Sequence, residues 1–277
     1  CILHPLTMKL SFWKMSGAGN DFVCLDNRKK TLRPSRKLIE RLCHRQFGVG
    51  ADGLLLLESA KTKAADFRMR YFNADGGEAE MCGNGARCFA RFAQRVTGFR
   101  KGTLLFDTGA GLVGGEFFGD QVRVELTPPH GMLLNQKITT SAGVLTVHSI
   151  NTGVPHAVVF LPDIEKLEII KLGSELRYHE AFQPKGTNVN FAQILGPGKI
   201  RVRTYERGVE GETLACGTGV TAVALIASEV HGFKAPVLVN VQGGDTLKVF
   251  FNKLDTAFSQ VKLHGPADFV YQGEIDA

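Results

Sequence analysis

The chain has 277 residues, 33 Lys and Arg against 27 Asp and Glu, a formal net charge of +6, and 44% hydrophobic residues. That length suits one or two domains with a real core, and the composition excludes a disordered chain, a collagen-like repeat and a coiled coil. No apolar run approaches the roughly 18 residues that would span a bilayer.

In chain order, residues 1–7 carry no charged lead and no long apolar stretch, so no signal peptide is expected. Met8 reads as a natural start, and residues 1–7 are expected to be extraneous to the native chain. The one dense basic run, Arg28, Lys29, Lys30, Arg33, Arg36 and Lys37, falls where a turn and a helix start are expected. It therefore reads as a solvated surface, with no nucleic-acid partner. A first helix follows Pro34-Ser35, gathers Leu38, Ile39, Leu42 and Cys43 on one face, and is expected to end at Gly48. Residues 54–57 form an apolar run of strand length, and residues 66–72 alternate as a half-buried strand does.

A second helix starts near Cys82 with Phe89, Phe92, Ala93 and Val96 on one face and Arg87, Arg91 and Arg95 on another. Strand patterns follow at 121–126, 143–148, 157–161 and 200–205. A third helix starts near Cys216 and is apolar almost all round, so protein should enclose it on every side. Strands at 237–241, 247–251 and 260–263 close the reading, which points to largely antiparallel sheets.

An internal repeat organises these elements. One copy runs from Phe67-Arg68-Met69-Arg70-Tyr71-Phe72-Asn73 to Met81-Cys82-Gly83-Asn84-Gly85. The other runs from Ile200-Arg201-Val202-Arg203-Thr204-Tyr205-Glu206 to Ala215-Cys216-Gly217-Thr218-Gly219. From the strand's second arginine to the cysteine is 12 residues in the first copy and 13 in the second. A weaker echo pairs Gly19-Asn20-Asp21-Phe22 with Thr187-Asn188-Val189-Asn190-Phe191. Two similar domains facing each other across a pseudo-twofold axis are expected. Their division falls at 1–126 plus 266–277 against 127–265, with Pro128-Pro129 as the link.

Each copy places a cysteine at a helix start inside Cys-Gly-x-Gly. The unpaired N–H groups there, with glycines that admit close approach, bind a carboxylate and favour thiolate over thiol. Such positions bring cysteine pKa values into the range of about 3.5–7.5. Two of them suit moving a proton from one face of a carbon to the other: a thiolate removes it and a thiol returns one. Cys24, Cys43 and Cys88 lie on apolar patterns and are expected in the core. Six cysteines, irregularly spaced and without a C-x-x-C or zinc pattern, read as reduced thiols in a cytoplasmic protein with no metal.

Together, Ser16-Gly17-Ala18-Gly19-Asn20-Asp21-Phe22, Phe72-Asn73-Ala74-Asp75-Gly76, the two cysteine motifs, Pro155-His156, Asn188 and Tyr205-Glu206-Arg207-Gly208 resemble the diaminopimelate epimerase family. The motifs fall in family order and cover the chain from Lys9 onward. The resemblance implies an α+β fold of two pseudo-symmetric domains, each a curled, mostly antiparallel sheet around a central helix, with the C-terminal tail returning to the first domain. It implies a cofactor-independent isomerase that interconverts L,L- and meso-diaminopimelate for lysine and peptidoglycan synthesis.

By that resemblance Cys82 and Cys216 are the acid/base pair, and His156 and Glu206 help their protons move. Asn20, Asn73, Asn188, Glu206 and Arg207 would contact substrate, while Gly83, Asn84, Gly217 and Thr218 would hold a carboxylate at the helix starts. The expected partner is a small amino acid, with no nucleic acid and no membrane; a homodimer stays open.

One departure bears on selectivity. The family usually has Gly-Asn-Pro-His where this chain has Gly153-Val154-Pro155-His156, and some members carry Gln in place of Gly53. Val154 offers no side-chain hydrogen bond to the distal end of the substrate. An alternative is therefore a broader amino-acid racemase that also accepts glutamate. A thiol redox enzyme is a lesser rival, in which the two cysteines would pass electrons. Gly48-Val49-Gly50-Ala51-Asp52-Gly53 matches a dinucleotide fingerprint literally, but it follows a helix and precedes a strand, the reverse of what that role requires.

Overall fold

The structure, a computed structural model, describes residues 9–255 and 257–276. The expectations for residues 1–7 fall outside these. Two compact units divide the chain: residues up to Val122 with those from Pro266 on, and Arg123–Gly265.

The first unit opens with β1 (Lys9–Gly17) and β2 (Asn20–Asp26), an antiparallel hairpin turning through Ala18 and Gly19, both at positive φ. Next come α1 (Arg36–Cys43), β3 (Gly53–Ser59), β4 (Phe67–Asn73), β5 (Glu78–Ala79) and α2 (Gly83–Thr97). β6 (Thr103–Thr108) and β7 (Gly111–Phe118) follow, and β8 (Gln121–Glu125) crosses the boundary between the units. β2 lies parallel to β3, β3 antiparallel to β4, β4 antiparallel to β5 and parallel to β6, and β6 antiparallel to β7. The last strand of the chain, β18 (Asp268–Asp276), pairs antiparallel with β1.

The second unit repeats this plan. Its elements are β9 (His130–Thr140), β10 (Gly143–Asn151), β11 (Pro155–Phe160), α3 (Ile169–Tyr178), β12 (Asn188–Gly196), β13 (Lys199–Glu206) and β14 (Gly211–Thr213). They continue through α4 (Gly217–His231), β15 (Val237–Asn240), β16 (Thr246–Leu254) and β17 (Ala257–Pro266). β9, β10 and β11 pair antiparallel in turn, and β11 is parallel to β12. β12 is antiparallel to β13, which pairs antiparallel with β14 and parallel with β15; β15, β16 and β17 continue antiparallel. The expectation of antiparallel sheets is right for most pairs, and the parallel ones recur at matching places.

The helices have local causes. Ser35 caps α1 by accepting the Leu38 N–H at 3.2 Å. The central helices α2 and α4 each span 15 residues and stop at a glycine, Gly98 or Gly232, with φ 68° and ψ 23°. That left-handed cap is costly for any side chain with a Cβ. Within its own unit, α2 packs on β1, β2, β3, β4 and β7, and α4 packs on β10, β11, β12, β13, β15 and β16. The sheet covers α4 so fully that Val220–Ala227 are all buried, as its all-round apolar pattern requires. On the opposite face of the first sheet, Ile39 and Leu42 of α1 meet Val23, Leu25, Leu54 and Leu56. β3 is thus buried on both faces, which explains its unbroken leucine run.

Three local expectations need correction. α1 ends at Cys43 with His44 as its cap, short of Gly48. Gly48 serves the turn beyond: a Cβ there would sit 1.9 Å from the Arg41 carbonyl oxygen. Arg87 does not share a solvated face with Arg91 and Arg95; it is fully buried, its guanidinium donating to the Pro266 carbonyl at 3.2 Å and the Gly83 carbonyl at 3.4 Å. The weaker sequence echo is not a structural equivalence. Asn20 opens β2, whose counterpart by pairing is β11, whereas Asn188 opens β12, the counterpart of β3. Helix α3 and strands β1, β2, β5, β6, β7, β9, β12, β14 and β18 add to the elements that the sequence patterns mark.

Candidate active site

In the first unit, Cys82 is the N-cap of α2, held extended at φ −139° and ψ 123°. Its Sγ accepts the Gly85 N–H at 3.4 Å and lies 3.6 Å from Asn20 Oδ1, to which its S–H donates. Asn84 Nδ2 donates to the same oxygen at 3.4 Å. Cys82, Asn20 and Asn84 therefore form one cluster where the β1–β2 hairpin meets the start of α2.

Ion pairs behind the cluster fix Asn20. Its Nδ2 donates to Asp52 Oδ2 at 2.8 Å, and Arg45 reaches Asp52 Oδ1 at 2.7 Å and both Asp21 oxygens at 3.0 Å. Lys14, buried, pairs with Asp21 at 2.7 Å and also donates to the Gly50 carbonyl. Burial opposes ionisation of Asp21, but its hydrogen bonds from Arg45 and Lys14, with the Lys14 charge, outweigh it and hold the carboxyl below its ordinary value. Asn73, at the exposed end of β4, accepts from the Tyr71 hydroxyl at 2.7 Å. No side chain fits at Gly53 as the backbone stands, since a Cβ would lie 2.6 Å from the Phe72 carbonyl and 2.7 Å from the Tyr71 ring.

In the second unit, Cys216 is the N-cap of α4 and is 8% exposed. Its Sγ lies 3.5 Å from Thr218 Oγ1, which lies 2.9 Å from His156 Nε2. On the other side of the ring, His156 Nδ1 is 3.1 Å from Asn190 Nδ2. Asn190 Nδ2 also donates to the Ala157 carbonyl at 3.0 Å, and Thr204 Oγ1 donates to Asn190 Oδ1 at 3.0 Å. Burial, helped by the Arg207 charge, lowers the His156 pKa to about 3, so the ring is neutral. Gly219 has to be glycine here: a Cβ would fall 2.3 Å from Asn190 Oδ1.

Asn188 is buried with both ends of its amide engaged, Nδ2 donating to the Pro155 carbonyl at 3.1 Å and Oδ1 accepting the Arg207 N–H at 2.8 Å. Arg207 donates to the Lys185 carbonyl at 3.0 Å, and Glu206 Oε2 accepts from Thr213 at 2.9 Å. Glu206 ends β13 as Asn73 ends β4, so these two occupy matching places in the two units.

The remaining described cysteines are core groups. Burial pushes the Cys43 and Cys88 thiols up to about 12 and that of Cys24 well above its ordinary value. Asn190, Thr204 and Asp52 are the site residues that motif reading missed. Thr204 had a signal: it shares the inward face of β13 with Ile200 and Val202, where a polar group needs a reason.

The diaminopimelate epimerase family model matches residues 12–130 and 148–265. The diaminopimelate epimerase of Aquifex aeolicus is 44% identical, covering 96% of this chain and 98% of its own. That of Methanocella arvoryzae is 40% identical, with 97% of each chain covered. Among solved structures, a hydroxyproline epimerase from Agrobacterium vitis superposes with a TM-score of 0.70 at 16% identity, covering 99% of this chain and 94% of that one. A Bacillus anthracis protein of the PhzF family gives 0.71 at 15% identity, covering 98% and 100%. These two likenesses establish the fold alone.

Proposed function

The chain belongs to the diaminopimelate epimerase family and carries that family's isomerase activity, and we propose that it inverts the Cα of diaminopimelate with two thiols, Cys82 and Cys216. A thiolate takes the Cα proton and becomes a thiol. The other thiol gives its proton to the opposite face of the carbon and becomes a thiolate. Atoms and charge balance without electron transfer, so the step needs neither oxidant nor reductant. The observation that carries this reading is the duplication: each unit sets a cysteine as the N-cap of a 15-residue central helix.

The helix starts support binding of the substrate carboxylate. N–H groups around Gly83, Asn84, Gly217 and Thr218 would hold it, each helix end contributing about 0.3–2 kcal/mol. That is small against the roughly 8–23 kcal/mol that enzymes supply, so alignment and water exclusion carry much of the rest. His156 and Glu206 would help the thiols exchange protons, and Asn20, Asn73, Asn188 and Arg207 would position substrate. Both thiols must stay reduced, which suits a reducing compartment such as the cytoplasm.

Turnover of L,L-diaminopimelate in deuterated water tests the reading. The meso product should carry one deuterium at the inverted carbon, and activity should need a thiol reductant without passing electrons to an acceptor. Product without deuterium would refute it.

A further inference from the structure

The buried chain behind Cys216 has a fixed hydrogen-bond direction, and Asn190 sets it. The Ala157 carbonyl can only accept, so the amide atom 3.0 Å from it is the nitrogen. Asn190 Oδ1 correspondingly accepts from Thr204. The nitrogen that faces His156 Nδ1 at 3.1 Å can only donate, so Nδ1 is bare and Nε2 bears the hydrogen. Nε2 then donates to Thr218 Oγ1 at 2.9 Å, which leaves the Thr218 hydroxyl hydrogen for Cys216 Sγ at 3.5 Å. Every donor points the same way and the last one meets sulfur. His156 and Asn190 are wholly buried, so the ring stays neutral and the direction holds across any working pH.

Cys82 has a different donor, the Gly85 N–H, which reaches its Sγ at 3.4 Å. Asp52 Oδ2 takes the Asn20 Nδ2 hydrogen at 2.8 Å, which turns Asn20 Oδ1 toward Cys82 at 3.6 Å. A carbonyl oxygen there welcomes an S–H and repels a thiolate. Where Asn190 abuts Gly219 in α4, Leu55 and Phe22 abut the matching Gly85 in α2, so the two helix starts meet different neighbours.

We propose that Asn190 is a positioning residue: by fixing the His156 tautomer it makes Thr218 donate to Cys216 and so stabilises the Cys216 thiolate. This deepens the two-thiol reading and rests on it. The titratable and charged groups on the Cys216 side are neutral His156 on β11 and Glu206 and Arg207 where β13 ends. On the Cys82 side they include Arg87 and Cys88 on α2, and Asp21, Asp52, Lys14 and Arg45 behind Asn20.

Iodoacetamide labelling of each cysteine, followed by peptide mass spectrometry across pH, tests this. Access scales a whole labelling curve, whereas charge sets its midpoint. Thr218→Val should raise the Cys216 midpoint by about one pH unit, roughly the effect of one charge-assisted hydrogen bond, and leave that of Cys82 in place. Thr218→Ser should keep the wild-type midpoint, a pattern that a merely structural role would not produce. Asn190→Asp should also raise the Cys216 midpoint, because a carboxylate calls the ring hydrogen to Nδ1 and turns the Thr218 hydroxyl toward Nε2. A Cys216 midpoint unchanged in Thr218→Val or in Asn190→Asp overturns the proposal. Failure of the two-thiol reading would show separately, as inversion that survives loss of either cysteine.

Discussion

Gly85 and Gly219 hold the same position, three residues past the capping cysteine, yet alanine should have opposite effects at the two. At Gly85 an added Cβ meets Cys82 Cβ and Leu55 at 3.4 Å and Phe22 at 3.5 Å, ordinary contact distances. Relieving a glycine inside a helix then stabilises by up to about 1 kcal/mol. At Gly219 the same Cβ lies 2.3 Å from Asn190 Oδ1, and Asn190 is pinned by Thr204, Ala157 and His156. Overpacking of that kind costs about 1–3 kcal/mol before any broken hydrogen bond is counted. Urea titration of the two variants should separate them by roughly 2–4 kcal/mol, with Gly219→Ala the less stable. Gly219→Ala should also lose turnover, since Asn190 can no longer hold His156. Equal stability of the two variants would refute the packing argument.

Acid sensitivity should trace to His156. Its folded-state pKa is lowered to about 3 from 6.5, so the unfolded chain takes up a proton that the folded chain refuses. Stability should therefore be flat above pH 6.5 and fall as pH drops toward 3, by about 2 kcal/mol at pH 5. His156→Gln should flatten that part of a pH-dependent denaturation series; an unchanged slope would show that other groups govern it. Arg207→Ala should raise KM more than it lowers the melting temperature, because Arg207 is half-exposed and its side chain makes one bond to a loop carbonyl. Val154 gives the distal end of a substrate no side-chain hydrogen bond, so L-glutamate in deuterated water should take up deuterium at Cα. Exchange of diaminopimelate alone would show that other residues select the distal end.

The parts of the fold that were legible are those where one physical signal dominates. The apolar sequence of α4 announced an enclosed helix, and Cys-Gly-x-Gly announced two helix starts. α3 was silent because Glu168 before it makes no capping bond and Gly173 interrupts its middle. That glycine exists for a tertiary reason, since a Cβ would sit 2.5 Å from Tyr205 Cβ. Arg87 looked like a surface arginine because three arginines recur at i+4 spacing, and only the strand ending at Pro266 shows why one of them is buried. The chain from Thr204 to Thr218 was not legible because its members come from three strands and a helix start, and register alone brings them together.

The most direct test of the central claim uses single-thiol variants. Cys82→Ala and Cys216→Ala would each be given L,L- and meso-diaminopimelate in deuterated water, with Cα deuterium and stereochemistry followed by NMR. The account predicts that neither variant inverts the carbon in either direction. Wild-type inversion by either one would contradict it.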